Sequence, residues 1–228
     1  MLNIYGESTP LTIDYSSPKV IVATVYGPPY YKIINALKEM NLQFESLSPQ
    51  EAAISDAKII ITTKAESSIV NRKDALLDTE LNEYYAIVKS KILRNVIGCK
   101  VDDSLCIGID PGMRIGVSVM YYNKELDSFV ESSLISVINK LSLLFSKINS
   151  KKKILKIGNG DLEMAKKIAF RIKDRFDNVY VEIVDEHRSS APSDTGINRR
   201  GMRDRSAARI IALRKGQPFV IQTTSNTR

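Results

Sequence analysis

The sequence predicts a protein of two α/β domains with a boundary near residue 100. Two observations predict it. Strand-like and helix-like segments alternate along the first hundred residues, and a new succession of elements begins after the polar stretch at residues 98–104. A hydrophobic fraction of 43% in 228 residues is enough for an extensive core. We therefore expect a small α/β domain over residues 1–100, to which the sequence assigns no role, and a larger domain over residues 101–228.

The first domain is predicted to contain a short parallel sheet, because its strands and helices alternate. Its predicted strands are rich in β-branched residues or are short apolar runs, and they span residues 19–27, 42–47 and 57–63. Apolar residues at helical spacing predict helices over residues 28–40 and 78–97. The sequence "YGPPYY" at residues 26–31 follows the first strand, where a ligand site is one interpretation and a docking or dimerisation role is another.

The second domain is predicted to be a mixed five-stranded sheet with helices. Its elements follow the order strand, strand, strand, helix, strand, helix, strand, helix. The three opening strands occupy residues 106–110, 115–123 and 128–135, and a helix around 137–148 follows them. The remaining elements are a strand over 151–158, a helix over 161–176, a strand over 178–187 and a final helix over 203–216.

The basic residues are concentrated in the second domain. Residues 1–100 carry equal numbers of basic and acidic side chains, so the whole net charge of +7 belongs to residues 101–228. From residue 188 onward the acids are Asp194 and Asp204 alone, against a larger set of basic residues: Arg188, Arg199, Arg200, Arg203, Arg205, Arg209, Arg214, Lys215 and Arg228. Arginine binds phosphate in a bidentate way, so this region suits a nucleic acid, and a solvated basic surface is the structural alternative.

A single carboxylate, Asp110, ends the apolar strand in "CIGIDPGMRIGVSVM" at residues 106–120. A charge in such a strand is costly unless a cation compensates for its desolvation. Two further acidic positions fall at ends of predicted elements, Asp185-Glu186 after the fifth strand and Asp204 at the last helix. Converging carboxylates stay ionised only around a hard cation, which predicts Mg²⁺ or Mn²⁺. The structural alternatives are an Asp110 that initiates a turn and an Asp204 that complements the helix dipole.

Three motifs resemble the RuvC/YqgF group of ribonuclease H-like nucleases. "IGIDPGMRIGVSV" (107–119) resembles the opening strand of that group, and "DRSAARIIAL" (204–213) resembles its closing helix. "VDEHRSS" (184–190) is similar to a YqgF motif, with His187 where that motif has arginine. The resemblance covers residues 104 to about 216. It implies a ribonuclease H-like fold and a metal-dependent nuclease, a phosphodiester hydrolase that uses two ions.

The resemblance also implies the site residues. Asp110, Glu186 and Asp204 match the metal ligands, and Asp161 is the alternative to Glu186 as the second ligand. Asp185 is expected to support the site, and His187 is a candidate proton shuttle or a plain loop residue. The side chains expected to contact nucleic acid are Arg114, Arg188, Arg199, Arg200, Arg203 and Arg205. The "GNG" turn at residues 158–160 is either a phosphate cradle or an ordinary turn.

Two substrates follow from the resemblance. RuvC proteins resolve four-way DNA (Holliday) junctions as homodimers, whereas YqgF proteins are linked to maturation of ribosomal RNA precursors, and the motif details favour YqgF. A protein that binds nucleic acid without cutting it, with the first domain docking a partner, is the alternative function. A sugar-kinase-like activity ranks below both, because the first domain has too few strands to be a second copy of the fold.

The sequence also predicts where the protein resides. No apolar run approaches the roughly 18 residues that a membrane span needs, and the first residues lack a basic start followed by an apolar segment. Cys99 and Cys106 have no metal-binding spacing and are expected to be free thiols. We therefore expect a cytoplasmic protein that makes no contact with membranes.

Overall fold

The computed structural model describes residues 20–97, 103–186 and 199–220, with the backbone alone described at residues 199 and 200. It shows an α/β protein whose described strands form two sheets. Contacts divide the chain into two compact units between Asn82 and Glu83, earlier than the predicted boundary near residue 100. The boundary is earlier because the helix at residues 85–97 buries Ala86, Ile87 and Leu93 in the core of the second unit.

The N-terminal unit contains a four-stranded sheet in the order β2-β1-β3-β4, and every pairing in it is parallel, as the alternation of elements predicts. Its core contains Ile21, Ala23 and Ile60 from the two central strands. The elements are β1 (Val20–Ala23), α1 (Gly27–Glu39), β2 (Phe44–Leu47), α2 (Pro49–Ile54), β3 (Ile60–Thr62), α3 (Ser67–Val70), β4 (Leu76–Leu77) and a 3-10 helix (Asp78–Asn82).

The C-terminal unit contains a mixed six-stranded sheet in the order β10-β9-β8-β5-β6-β7. Strands β5, β6 and β7 pair antiparallel, whereas β5, β8 and β9 pair parallel. The elements are α4 (Tyr85–Ile97), β5 (Ser104–Asp110), β6 (Ile115–Tyr121), β7 (Lys124–Glu131), α5 (Leu134–Lys147), β8 (Lys152–Gly158), α6 (Leu162–Lys173), β9 (Val179–Val184), α7 (Arg199–Leu213) and β10 (Gln217–Pro218).

The predicted succession of strands and helices in this unit is confirmed, but several bounds differ. The third strand, predicted over residues 128–135, is β7 (Lys124–Glu131), and the helix predicted around 137–148 begins earlier, at Leu134. The helix predicted over residues 78–97 is a 3-10 helix followed by α4, because the unit boundary falls inside that segment. Helix α7 begins at Arg199, before the predicted residue 203. The sheet has a sixth strand, β10, because the chain after α7 returns to β9, where the Phe219 N–H donates to the Val181 carbonyl oxygen at 2.9 Å.

Alternate residues of β5 face opposite sides of the sheet. Leu105, Ile107 and Ile109 are fully buried in the core that the sheet forms with α4, α5 and α6. The residues between them face α7: the Cys106 thiol donates to the Ala212 carbonyl oxygen at 3.3 Å, and Gly108 also lies against α7. This alternation puts Asp110 on the α7 face, away from the main core.

Two glycines allow α7 to lie close to the sheet. A Cβ on Gly108 would stand 2.1 Å from the carbonyl oxygen of Ala208, and a Cβ on Gly116 would stand 2.2 Å from that of Asp204. Real Cβ atoms do not come so close to backbone, so both positions require glycine for the observed packing. Between these contacts α7 buries Ala208, Ile211 and Ala212. The helix therefore has a fixed position across β5 and β6.

Candidate functional site

Asp110 and Asp204 are brought together by β5, β6 and α7. Asp110 is the last residue of β5, and its partner across the antiparallel ladder is Gly116 of β6. The backbone of Asp204 lies directly over Gly116. The strand parity that turns Asp110 toward α7 and the close packing of α7 therefore place Asp204 near enough to Asp110 for their charges to interact.

Glu186 approaches the same edge of the sheet from β9. It follows β9 closely, and β8, whose last residue is Gly158, lies between β9 and β5. The Glu186 carboxylate occupies the space beside Gly158 and Gly160, where added Cβ atoms would stand 1.8 Å and 2.5 Å from its oxygens. The Gly160 N–H donates to Glu186 Oε1 at 3.0 Å. The side chain thus crosses the end of β8 toward Asp110.

Asn159 holds the segment that carries Glu186, a role that the sequence reasoning missed. Its side-chain oxygen accepts the Glu186 N–H at 3.0 Å, and its side-chain nitrogen donates to Asp185 Oδ1 at 3.4 Å. Its own N–H donates to the Val184 carbonyl oxygen at 3.0 Å. The sequence indication was the Gly-Asn-Gly turn itself. Its Gly160 N–H is directed at a carboxylate, which favours a cradle for Glu186 over a cradle for phosphate.

The three acids interact electrostatically. Burial, followed by the charges of Glu186 and Asp204, raises the pKa of Asp110 to about 6. Asp110 is partly buried, and its carboxylate forms neither a hydrogen bond nor an ion pair within the described part of the chain. Asp204 has a cationic neighbour, since Arg114 Nε lies 3.5 Å from Asp204 Oδ2. Among the described residues, Asp110 is therefore a carboxylate of this acidic cluster that has neither a cationic nor a hydrogen-bonding partner.

The donor atoms suit a hard cation, but their present arrangement does not form a chelating group. Carboxylate oxygens are the ligands that Mg²⁺ and Mn²⁺ prefer. Across residues 20–97, 103–186 and the described part of α7, no three His, Cys, Asp or Glu side chains are grouped closely enough to hold a metal ion. In this arrangement Glu186 accepts the Gly160 N–H and Asp204 pairs with Arg114. Chelation would require the three carboxylates to come closer together.

The structure also describes other predicted site residues, namely Asp161, Asp185, Arg203 and Arg205. Asp185 is exposed and held by Asn159. Asp161, the alternative second ligand, caps α6 by accepting the Met164 N–H at 2.9 Å, so its carboxylate already has a structural role. Arg203 and Arg205 are exposed on α7, and Arg205 Nε donates to the Gly201 carbonyl oxygen. His187 and Arg188 lie outside the described residues, as do the side chains of Arg199 and Arg200.

The carboxyl end of the N-terminal sheet contains a buried acid, Glu66. Its oxygens accept the Val25 N–H at 2.8 Å and the Thr63 hydroxyl at 2.7 Å. Burial would raise the pKa of Glu66, but hydrogen bonds from Thr24, Thr63 and Val25 together lower it. The carboxylate ties the loop after β1 to the loop after β3. Its hydrogen bonds are thus made within the unit, and the predicted ligand site at this edge stays a prediction.

Comparisons with known proteins do not assign the chain to a family. No protein-family model matches the chain, and no curated protein sequence matches it. Within the residues that the structure describes, none of the helices combines the length and the apolar character needed to cross a membrane.

Proposed function

We propose that the C-terminal unit is a RuvC/YqgF-type, ribonuclease H-like nuclease that hydrolyses phosphodiester bonds in a structured nucleic acid. The observation that carries the proposal is the electrostatic coupling of Asp110 with Glu186 and Asp204 at one edge of the sheet. These are the three carboxylates that the sequence motifs single out. They come from β5, the segment after β9, and α7, which are far apart in sequence.

The sheet order supports this proposal. Three antiparallel strands continue through β5 into the parallel strands β8 and β9, which is the arrangement expected of a ribonuclease H-like fold. Helix α7 crosses the face opposite α4, α5 and α6 and contributes Asp204 from within the helix. A carboxylate that only complements the helix dipole belongs in the first turn. The position of Asp204 beside Asp110 favours the functional interpretation.

Asp110, Glu186 and Asp204 would hold Mg²⁺ or Mn²⁺. The bound ions would supply Lewis-acid activation of water and stabilisation of the leaving oxygen. Asp110 is already oriented by its strand, whereas the Asn159 side chain and the Gly160 N–H orient Glu186. The exposed Arg203 and Arg205 on the same helix as Asp204 are available to bind the nucleic-acid backbone. Asp185 supports Glu186 through Asn159.

The substrate is proposed to be a ribosomal RNA precursor or a four-way DNA junction. We would measure cleavage of labelled four-way junctions, structured RNA and linear duplex with Mg²⁺ or Mn²⁺. Asp110→Asn is expected to abolish cleavage and to retain binding. Glu163→Gln is the control: it removes an exposed carboxylate of α6 that pairs with Lys167 and is not among the predicted site residues, so cleavage should persist. Metal-dependent cleavage by Asp110→Asn would contradict the proposal.

A second candidate is a protein that binds nucleic acid without cutting it, and a specific observation favours it. The Asp204 carboxylate is paired with Arg114, and Glu186 is held by Gly160, so the described acids are not grouped for chelation. The same experiment separates the two candidates. Tight, salt-dependent binding of every substrate without any cleavage would support the binding protein.

A further inference from the structure

Arg114 is the cation nearest to Asp204 among the ion pairs of the described residues. It lies directly before β6, after the turn that follows Asp110. Its Nε lies 3.5 Å from Asp204 Oδ2. Its Nη2 lies 3.1 Å from where a Cβ on Gly201 would stand, so the guanidinium is placed against the early part of α7. Arg114 thus partly neutralises one of the three carboxylates.

The ion pair between Arg114 and Asp204 is accessible to solvent. The side chains of Arg114 and Asp204 are 48% and 24% exposed. Ion pairs of this exposure are individually weak and are screened by salt. A divalent cation bound by the same carboxylate would neutralise it more fully and would repel the guanidinium. Arg114 and such a cation are therefore competitors for Asp204.

We propose that Arg114 is an exchangeable counter-ion, which neutralises Asp204 in the cation-free protein and is released to bind a substrate phosphate when a divalent cation binds. The inference rests on the proposed function, because it requires the cation to bind at Asp204. A released guanidinium would lie beside the catalytic carboxylates, and its planar donors match a phosphate in a bidentate way. Arg114 couples metal binding to substrate binding in this way.

The proposal predicts opposite effects of one substitution on two ligands. Arg114→Gln removes the competitor and a positive charge, so Mn²⁺ should bind about 3- to 10-fold more tightly. In the presence of Mn²⁺ the same variant should bind the nucleic-acid substrate several-fold more weakly. The slope of log affinity against log salt concentration should also be smaller by about one, as expected for the loss of one phosphate contact. Arg114→Lys keeps the charge but not the bidentate geometry, so it should leave the Mn²⁺ affinity near wild type and still weaken substrate binding.

The control is Arg209→Gln, on α7, the helix that carries Asp204. Arg209 Nη1 lies 3.9 Å from Glu125 Oε2, so this variant removes an equal charge from a pair that does not include the three acids. Mn²⁺ binding to the full chain would be measured by calorimetry at constant ionic strength, and urea unfolding would verify that each variant is folded. The proposal expects tighter Mn²⁺ binding in Arg114→Gln and no change in Arg209→Gln.

The other possible results of these binding measurements would overturn the proposed exchange or the phosphate contact. Mn²⁺ affinity in Arg114→Gln that equals or falls below that of the wild type overturns the exchange and leaves the proposed nuclease intact. Unchanged substrate affinity in that variant overturns the phosphate contact. Failure of both the wild type and Arg114→Gln to bind Mn²⁺ overturns the exchange together with the metal site. Mn²⁺ binding that persists unaltered in Asp204→Asn places the ion elsewhere and likewise overturns the exchange.

Discussion

The carbonyl oxygen of Asp204 lies directly over Gly116, so close that a Cβ on that glycine would stand 2.2 Å away. Gly116 is also the ladder partner of Asp110. One small residue therefore fixes the separation between two of the three carboxylates. A larger residue there would have to push α7 away from the sheet and Asp204 away from Asp110.

Substitution of Gly116 by alanine is expected to lower the free energy of unfolding by about 3 kcal/mol, because the new methyl group meets backbone atoms that cannot rotate aside. Urea unfolding would measure the loss. Gly112→Ala is the control, since its Cβ would lie 3.5 Å from the Arg114 carbonyl oxygen, an ordinary contact. A Gly116→Ala protein within about 0.5 kcal/mol of the wild type would show that α7 does not dock as described.

The raised pKa of Asp110 predicts how stability depends on pH in the metal-free protein. Because the folded pKa, about 6, exceeds the ordinary value of 3.8, the folded state binds more protons between these values, and stability falls as pH rises through that range. Asp110→Asn should therefore raise the free energy of unfolding by about 1–2 kcal/mol at pH 8 and by almost nothing below pH 4. The full shift corresponds to about 3 kcal/mol, which solvent screening reduces.

Urea unfolding of both proteins at pH 4 and pH 8 would check this dependence. Asp161→Asn should show no such gain at pH 8, because its carboxylate caps a helix. An Asp110→Asn protein that is less stable than wild type at pH 8 would contradict a destabilising effect of the Asp110 charge, which arises from its burial and from its two acidic neighbours.

Removal of the Asn159 side chain is expected to loosen Glu186. Asn159→Ala loses the acceptor of the Glu186 N–H and the donor to Asp185. Residues that orient metal ligands typically contribute 10- to 100-fold to metal affinity, so Mn²⁺ binding should weaken by about that factor while stability falls by about 1 kcal/mol. Asn139→Ala, on the exposed side of α5, is the control. Unchanged Mn²⁺ affinity in Asn159→Ala would exclude a positioning role.

A buried polar cluster connects α4 with the start of β5. The Tyr121 hydroxyl lies 2.9 Å from Asp103 Oδ1, and Arg94 Nη1 lies 3.0 Å from Asp103 Oδ2. Tyr121→Phe would leave the buried Asp103 without its hydroxyl donor, which should cost about 1–3 kcal/mol of the free energy of unfolding. Tyr180→Phe, whose side chain is 62% exposed, should be nearly neutral. If Tyr121→Phe and Tyr180→Phe were equally stable, the cluster of Tyr121, Asp103 and Arg94 would not stabilise the folded protein.

Much of the fold was predictable because its determinants are local. The apolar periodicity of the strands and helices predicts their order. In α7 the same spacing predicts a buried face of Ala207, Ala208, Ile211 and Ala212, of which the structure buries all but Ala207, which is partly buried. The unit boundary was harder to predict. Residues 78–97 have one continuous apolar pattern, and only the long-range packing of α4 shows that Tyr85–Ile97 belongs to the second unit.

The approach of Glu186 to Asp110 was predictable from element ends, because the parallel strands of one sheet bring their carboxyl ends to one edge. Asp204 reaches the same edge through the packing of α7 on Gly116. The present partners of Glu186 and Asp204 were not predictable. The Gly160 N–H that binds Glu186 and the guanidinium that pairs with Asp204 depend on side-chain rotation and on the packing of α7, which leave no periodic pattern in a sequence. The metal ligation and the nuclease activity stay predictions.

The small side chains beneath α7 affect how easily this helix separates from the sheet in the native protein. The contacts between α7 and the sheet include Gly108, Gly116, Cys106 and the alanines of the helix, with Ile211 as a large buried side chain, whereas the opposite face holds the many large apolar side chains of α4, α5 and α6. A helix that buries little apolar area detaches at a lower free energy than the core beside it, so its amides should exchange with solvent before those of β5. Each such detachment separates Asp204 from Asp110 while the rest of the unit stays folded. We therefore expect the site to open before the core of the unit unfolds.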